Sequence, residues 1–225
     1  KGSIYGFLGP NGAGKSTTMR LLTGIIPDDS NSIFLFEKPI ESQIPDVFEK
    51  VGALVESPAL YLHLSGYDNV KYIALLRQVP LSKIDEVLEL VDLTAHKRQK
   101  AKQYSLGMKQ RLAIAMALLS EPELLFLDEP VNGLDPNGIV EIRKLLVKIN
   151  KEKGVTIFVS SHLLSEIEKM CTHIGIISKG TLKYEGTMED LSRKFETCKI
   201  QITLDDAENW KEKLSFKYAN VVLDE

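Results

Sequence analysis

The stretch Gly9-Pro10-Asn11-Gly12-Ala13-Gly14-Lys15-Ser16-Thr17 constrains the fold of this 225-residue chain more than any other. It follows an apolar run, Ile4 to Leu8, that suits a buried strand, and it leads into a helical run through Leu21. Glycines in such a turn let successive backbone N–H groups curl inward, and the following helix aims the positive end of its dipole at the same point. The result is a cradle for phosphate oxygens, with Lys15 placed to neutralise β- and γ-phosphates and the Ser16 hydroxyl placed to ligate Mg²⁺. The alternative, a glycine-rich turn that merely joins a strand to a helix, is disfavoured by that context. The expected ligand is a nucleoside triphosphate.

Composition narrows the class. With 44% hydrophobic and 26% charged residues the chain can bury a core. Its 28 Lys+Arg against 31 Asp+Glu leave a net charge of −3, which argues against nucleic acid as a partner. Cys171 and Cys198 are too few for a disulfide framework or a zinc site and read as reduced thiols. No run approaches the roughly 18 apolar residues of a membrane span, and no signal pattern opens the chain.

Further buried-strand runs occur at Leu124 to Leu127, Val155 to Val159 and Ile174 to Ile177. Between about Ser65 and Leu119 the apolar period is helical, as in Leu81, Ile84, Leu88 and Val91, with Ser82 and Asp85 spaced like a capping box. Asp135-Pro136 reads as an N-cap and first helical residue before an amphipathic helix carrying Ile139, Ile142, Leu145, Leu146 and Ile149. Lys179-Gly180 reads as a turn between two short strands. The pattern is α/β, a mostly parallel sheet interrupted by a helical insertion.

The run Leu124-Leu125-Phe126-Leu127 ends in Asp128-Glu129. Strand alternation would send these carboxylates to opposite sides, so that Asp128 faces the metal and Glu129 serves as general base to a water in line with the γ-phosphate.

These motifs resemble those of the ATP-binding subunits of ABC transporters, over Gly2 to about Glu185. Tyr104-Ser105-Leu106-Gly107-Met108-Lys109-Gln110-Arg111 stands where that family has its signature. The resemblance implies a P-loop NTPase (RecA-like) core over residues 1–55 and 121–185, a helical subdomain over 56–120, and an extension of unassigned role over 186–225. It implies ATP and Mg²⁺ as cofactors, and a homodimer formed on ATP binding. Each site would combine one subunit's Gly9 to Thr17 loop, Asp128, Glu129 and His162 with the other's Ser105 and Gly107. Ser105 is placed as an N-cap, a bland role that can hold at once. Asn132-Gly133-Leu134-Asp135 resembles the loop through which subunits sense each other, and His162 matches the switch histidine. His63, His96 and His173 have no such context.

Leu106, Met108 and Glu56 depart from the family's usual pattern, and a run of cations surrounds the signature. Leu106 replaces the usual first glycine of the signature, and Met108 the usual Gln. Lys97, Arg98, Lys100, Lys102, Lys109 and Arg111 carry no carboxylate among them, either as a solvated face or to attract the partner's ATP. Glu56 stands where most relatives place a Gln that ligates Mg²⁺ and links the site to the membrane subunit, so it is a third candidate metal ligand that adds negative charge. Glu56-Ser57-Pro58-Ala59-Leu60-Tyr61 with this signature resembles the lantibiotic-immunity and bacitracin-type resistance group. The expected activity is ATP hydrolysis driving peptide expulsion through a separate transmembrane permease, with the chain peripheral on the cytoplasmic face of the membrane. Another ABC exporter, a soluble ABC-type ATPase outside transport, and a module that binds ATP without turnover remain as alternatives. The family pattern also implies that roughly two dozen residues, with antiparallel edge strands and an adenine-stacking aromatic, precede Lys1.

Overall fold

A computed structural model describes residues 1–30 and 32–195. The chain falls into two compact units, Lys1–Leu191 and Ser192–Glu225, and only residues 192–195 of the second are described. Cys198 and most of the expected extension lie outside the described residues.

The first unit opens with β1 (Ile4–Leu8), the glycine-rich loop and α1 (Lys15–Leu22). A two-stranded antiparallel hairpin, β2 (Phe34–Leu35) and β3 (Lys38–Pro39), precedes β4 (Val51–Leu54). The helical insertion supplies α2 (Gly66–Leu76), α3 (Lys83–Leu90) and α4 (Leu106–Leu118). The chain then returns through β5 (Leu124–Leu127), α5 (Pro136–Lys153), β6 (Thr156–Ser161), the short α6 (Leu164–Ile167), β7 (His173–Ser178), β8 (Thr181–Thr187) and α7 (Met188–Phe195).

Six strands form one sheet in the order β4-β5-β6-β1-β7-β8. The first five are parallel, and β8 pairs antiparallel to β7 at the edge. A parallel sheet buried on both faces needs apolar residues on both, and strand alternation distributes them. Leu125 and Leu127 join Ile157, Val159 and the α4 and α5 residues Leu112, Ile114, Ile142 and Leu146 on one side. Phe126 joins Met19, Leu35, Ile40 and Val47 on the other. The apolar cluster is continuous from Val70, Ile84 and Leu88 of the insertion into the layer beneath the sheet.

Local expectations met different fates. Asp135 caps α5 as expected, accepting from Gly138 N at 3.3 Å, and Gly154 ends the helix in the left-handed region. Lys179 and Gly180 both have positive φ, the signature of a two-residue hairpin turn matched to strand twist. The expected capping box at Ser82 and Asp85 does not form. Lys83 N already bonds Pro80 O and Ile84 N bonds Leu81 O, so Ser82 is itself helical and its hydroxyl makes no cap bond. Asp85 instead holds Lys97 Nζ at 2.8 Å. Leu81 precedes α3 and is exposed, whereas Ile84, Leu88 and Val91 are buried.

Register fixes the site. Leu8 pairs with Ser161, and Leu127 with both Val159 and Leu54, so Gly9, Asp128, Glu56 and His162 all follow strand ends on one edge of the sheet. The carboxyl edge of a parallel sheet is where ligands of such folds bind.

Candidate active site

The backbone geometry of the glycine-rich loop suits an anion. Gly12 and Gly14 take φ of +77° and +110°, conformations that an L side chain resists. The amides of Gly14, Lys15, Ser16 and Thr17 have no acceptor among the described residues, the orphan donors expected at a helix start. Ser161 O accepts from Gly9 N at 3.2 Å and Ala13 O accepts from Gly180 N at 2.9 Å, so both limbs of the loop are pinned to the sheet. Asn11, Gly12 and Thr17 lie at the surface, while Ala13 and Lys15 are buried. Lys15 Nζ, 6% exposed, donates to Gly9 O at 2.7 Å and Pro10 O at 3.3 Å and stands 3.1 Å from Glu129 Oε1. A nearly buried ammonium requires such acceptors, and it is the positive charge at the cradle floor.

The two carboxylates diverge, but not by strand alternation. Glu129 has φ of +48°, so the chain has left extended geometry one residue after Asp128 and a turn, rather than the pleat, separates the side chains. Asp128 is buried and accepts from Ser160 Oγ at 2.5 Å. The same hydroxyl accepts from Glu129 N at 2.9 Å, so one fully buried serine holds both residues. Glu129 is bracketed, with Lys15 at one oxygen and His162 Nδ1 2.8 Å from the other. A carboxylate only accepts, so Nδ1 carries the proton in this bond. Lys15, Glu129 and His162 thus form a continuous row although Lys15 lies more than a hundred residues from the other two in sequence and those two are 33 apart. Ser160 was not singled out by sequence. Its signal was a polar pair, Ser160-Ser161, that follows the apolar run Ile157-Phe158-Val159 at the end of the strand.

At the start of α4, Ser105 Oγ accepts from Met108 N at 3.2 Å, the expected cap. Ser105 is exposed and Gly107 half-buried, with Gly107 against Leu134 and Leu106 against Gly133. The signature and the Asn132 to Asp135 loop are therefore neighbours in one chain. The cation run is partly committed: Lys97 to Asp85, Arg98 over the Tyr67 ring at 4.6 Å, and Arg111 to Asp92 and Glu141. Glu56, at φ of +68°, is ion-paired to Arg20 of α1, a partner sequence did not indicate.

The residues suit a Mg²⁺-nucleotide. The Ser16 and Thr17 hydroxyls have no partner among the described residues, and with Asp128 they offer an all-oxygen set suited to a hard cation that keeps waters and phosphate oxygens as its other ligands.

The profile of the ABC transporter family matches residues 1–132. This chain belongs to the ABC transporter family. Among curated ABC transporter proteins it is 46% identical over 195 residues to the bacitracin transport ATP-binding protein BcrA of Enterococcus faecalis, covering 86% of this chain and 63% of that one. It is 45% identical over 199 residues to the lantibiotic transport ATP-binding protein SrtF of Streptococcus pyogenes, covering 87% and 85%. The chain thus spans less than two thirds of the length of BcrA. Its fold matches CbiO1 of Clostridium perfringens, part of the ABC transporter complex CbiONQ, with a TM-score of 0.78, 29% identity, and coverage of 97% of this chain and 85% of that one. No helix among the described residues is long and apolar enough to cross a membrane.

Proposed function

We propose that this chain is the ATP-hydrolysing subunit of a transporter that expels a lantibiotic or related antimicrobial peptide through a separate membrane permease, from the cytoplasmic face. The observation that carries the hydrolase reading is the row Lys15–Glu129–His162, which holds a candidate base beside a phosphate cradle at the sheet's carboxyl edge. Similarity to BcrA and SrtF supports the peptide class.

ATP is the substrate. Its phosphates enter the cradle of Gly9, Asn11, Gly12, Ala13, Gly14, Lys15, Ser16 and Thr17, where the orphan amides and Lys15 take the charge. Phosphate oxygens compete with Glu129 for Lys15 and free one carboxylate oxygen to receive a proton from water, while His162 keeps the other oxygen oriented. The hydroxide formed attacks the γ-phosphorus, and ADP leaves as the P–O bond breaks. Ser16 and Asp128, with Glu56 as a third candidate, are the residues that would hold Mg²⁺, which when bound spreads the charge that develops on the phosphates. Ser105 and Gly107 of a second copy complete the site at a helix start, with Asp135 in the loop between subunits, so that ATP favours a closed homodimer and product release reopens it.

Phosphate release tests this reading. The full chain should hydrolyse ATP with Mg²⁺, and Glu129→Gln should lower turnover by about 10²-fold or more while retaining ATP and giving a dimer by light scattering. Turnover at the unsubstituted rate in Glu129→Gln removes Glu129 as base. Loss of peptide resistance in Lys15→Ala cells expressing the chain with its permease checks the substrate class.

A further inference from the structure

Arg20 lies on α1 four residues after Ser16, so the two side chains stack on one helix face one turn apart. Its guanidinium is ion-paired with Glu56, which follows β4 by two residues and holds a left-handed backbone. Leu54, the last residue of β4, accepts from Asp128 N at 2.8 Å, so Glu56 emerges beside the Asp128 strand end. Among the described residues Arg20 is the single ion-pair partner of Glu56. The side chains are 38% and 56% exposed, so the pair is solvent-screened and can open when a stronger partner arrives.

We propose that Arg20 is a positioning residue that sets the charge Glu56 presents to the nucleotide and its metal. This rests on the reading of Glu56 as part of the nucleotide site. Paired with Arg20, Glu56 adds no net charge beside the phosphates, and a bound cation must compete with the guanidinium for it. Without Arg20, the carboxylate is a full negative charge free to engage the cation. Arg20 therefore restrains how much the site relies on metal, and it ties the connection to the helical insertion to the helix that carries Ser16.

The test is a double-mutant cycle read by calorimetric binding, in a Glu129→Gln background that prevents turnover. ATP affinity is measured in EDTA and in Mg²⁺, and the ratio of the two is the metal's contribution. Arg20→Met and Arg20→Gln both favour helix at a half-exposed position, and thermal melting verifies their folding. Each is expected to raise the ratio about two- to fivefold, the size of a screened surface pair. Arg20→Lys should keep the ratio of intact Arg20, and with Glu56→Gln also present Arg20→Met should no longer move it. An equal rise in both backgrounds makes Arg20 a distant charge only, and no rise in either removes its role; both overturn the proposal. If Glu56→Gln alone leaves both affinities unchanged, Glu56 is outside the site and the underlying reading fails with it.

Discussion

Gly9 and Gly12 stand three residues apart in one loop yet are glycine for different reasons. A Cβ on Gly9 would lie 2.5 Å from Ile177 O, a backbone atom that cannot step aside. A Cβ on Gly12 would meet nothing within 4 Å, so only its φ of +77° resists a side chain. Gly9→Ala should therefore destabilise by about 1–3 kcal/mol through overpacking. Gly12→Ala should cost nearer 1 kcal/mol, from the left-handed conformation alone. Urea unfolding of the two variants checks the order. The motif's residue types were readable as a phosphate cradle, but the packing of Gly9 on β7 was not, because Ile177 lies far along the chain. Glu129 shows the same division. Its identity as a candidate base was readable, while its bracketing by Lys15 and His162 depends on a left-handed turn and on strands distant in sequence.

Helix starts at Ser65 and Ser82 carry the same Ser-x-x-Asp spacing and behave differently. Ser65 is extended, so its hydroxyl accepts from Asp68 N at 3.0 Å and bonds Asp68 Oδ2 at 2.5 Å. Ser82 lies within a turn begun at Pro80 and has helical dihedrals, which aim its hydroxyl away from the amides three residues on. Ser65→Ala should cost about 1 kcal/mol and Ser82→Ala only a few tenths, measured as shifts in denaturation midpoint at constant m. A spacing rule detects the candidates, but the backbone state of the cap residue decides, and that state is set by the preceding turn. The start and apolar face of α5 were readable, since Asp135, Pro136 and the apolar stripe are local signals that agree, while its end at Gly154 came from the structure.

Across the whole molecule, folding buries a thiol that ordinary alkaline conditions would ionise. Cys171 lies in the main apolar cluster, and burial pushes its thiol from 9.0 up to about 12. Its neutral form is favoured in the fold, so the unfolded chain loses the proton first as pH rises. Stability is therefore expected to be intact below about pH 9 and to fall towards pH 12, by on the order of 1–4 kcal/mol. Urea unfolding at pH 8 and pH 10.5 checks this, and Cys171→Ala should flatten the difference. The sequence by itself determined what acts within a few residues: the cradle's glycines and lysine, the apolar runs that become strands, the helical period of the insertion, and the cap of α5. It also carried the family through contiguous motifs. Only the tertiary structure decided which of these meet. Lys15, Glu129 and His162 converge because the register of parallel strands aligns the ends of β1, β5 and β6, and Glu56 finds Arg20 because β4 ends beside the helix that begins at Lys15. Strand register and helix docking are set by burial on both faces of one sheet, a sum over residues far apart in the chain that no local window contains.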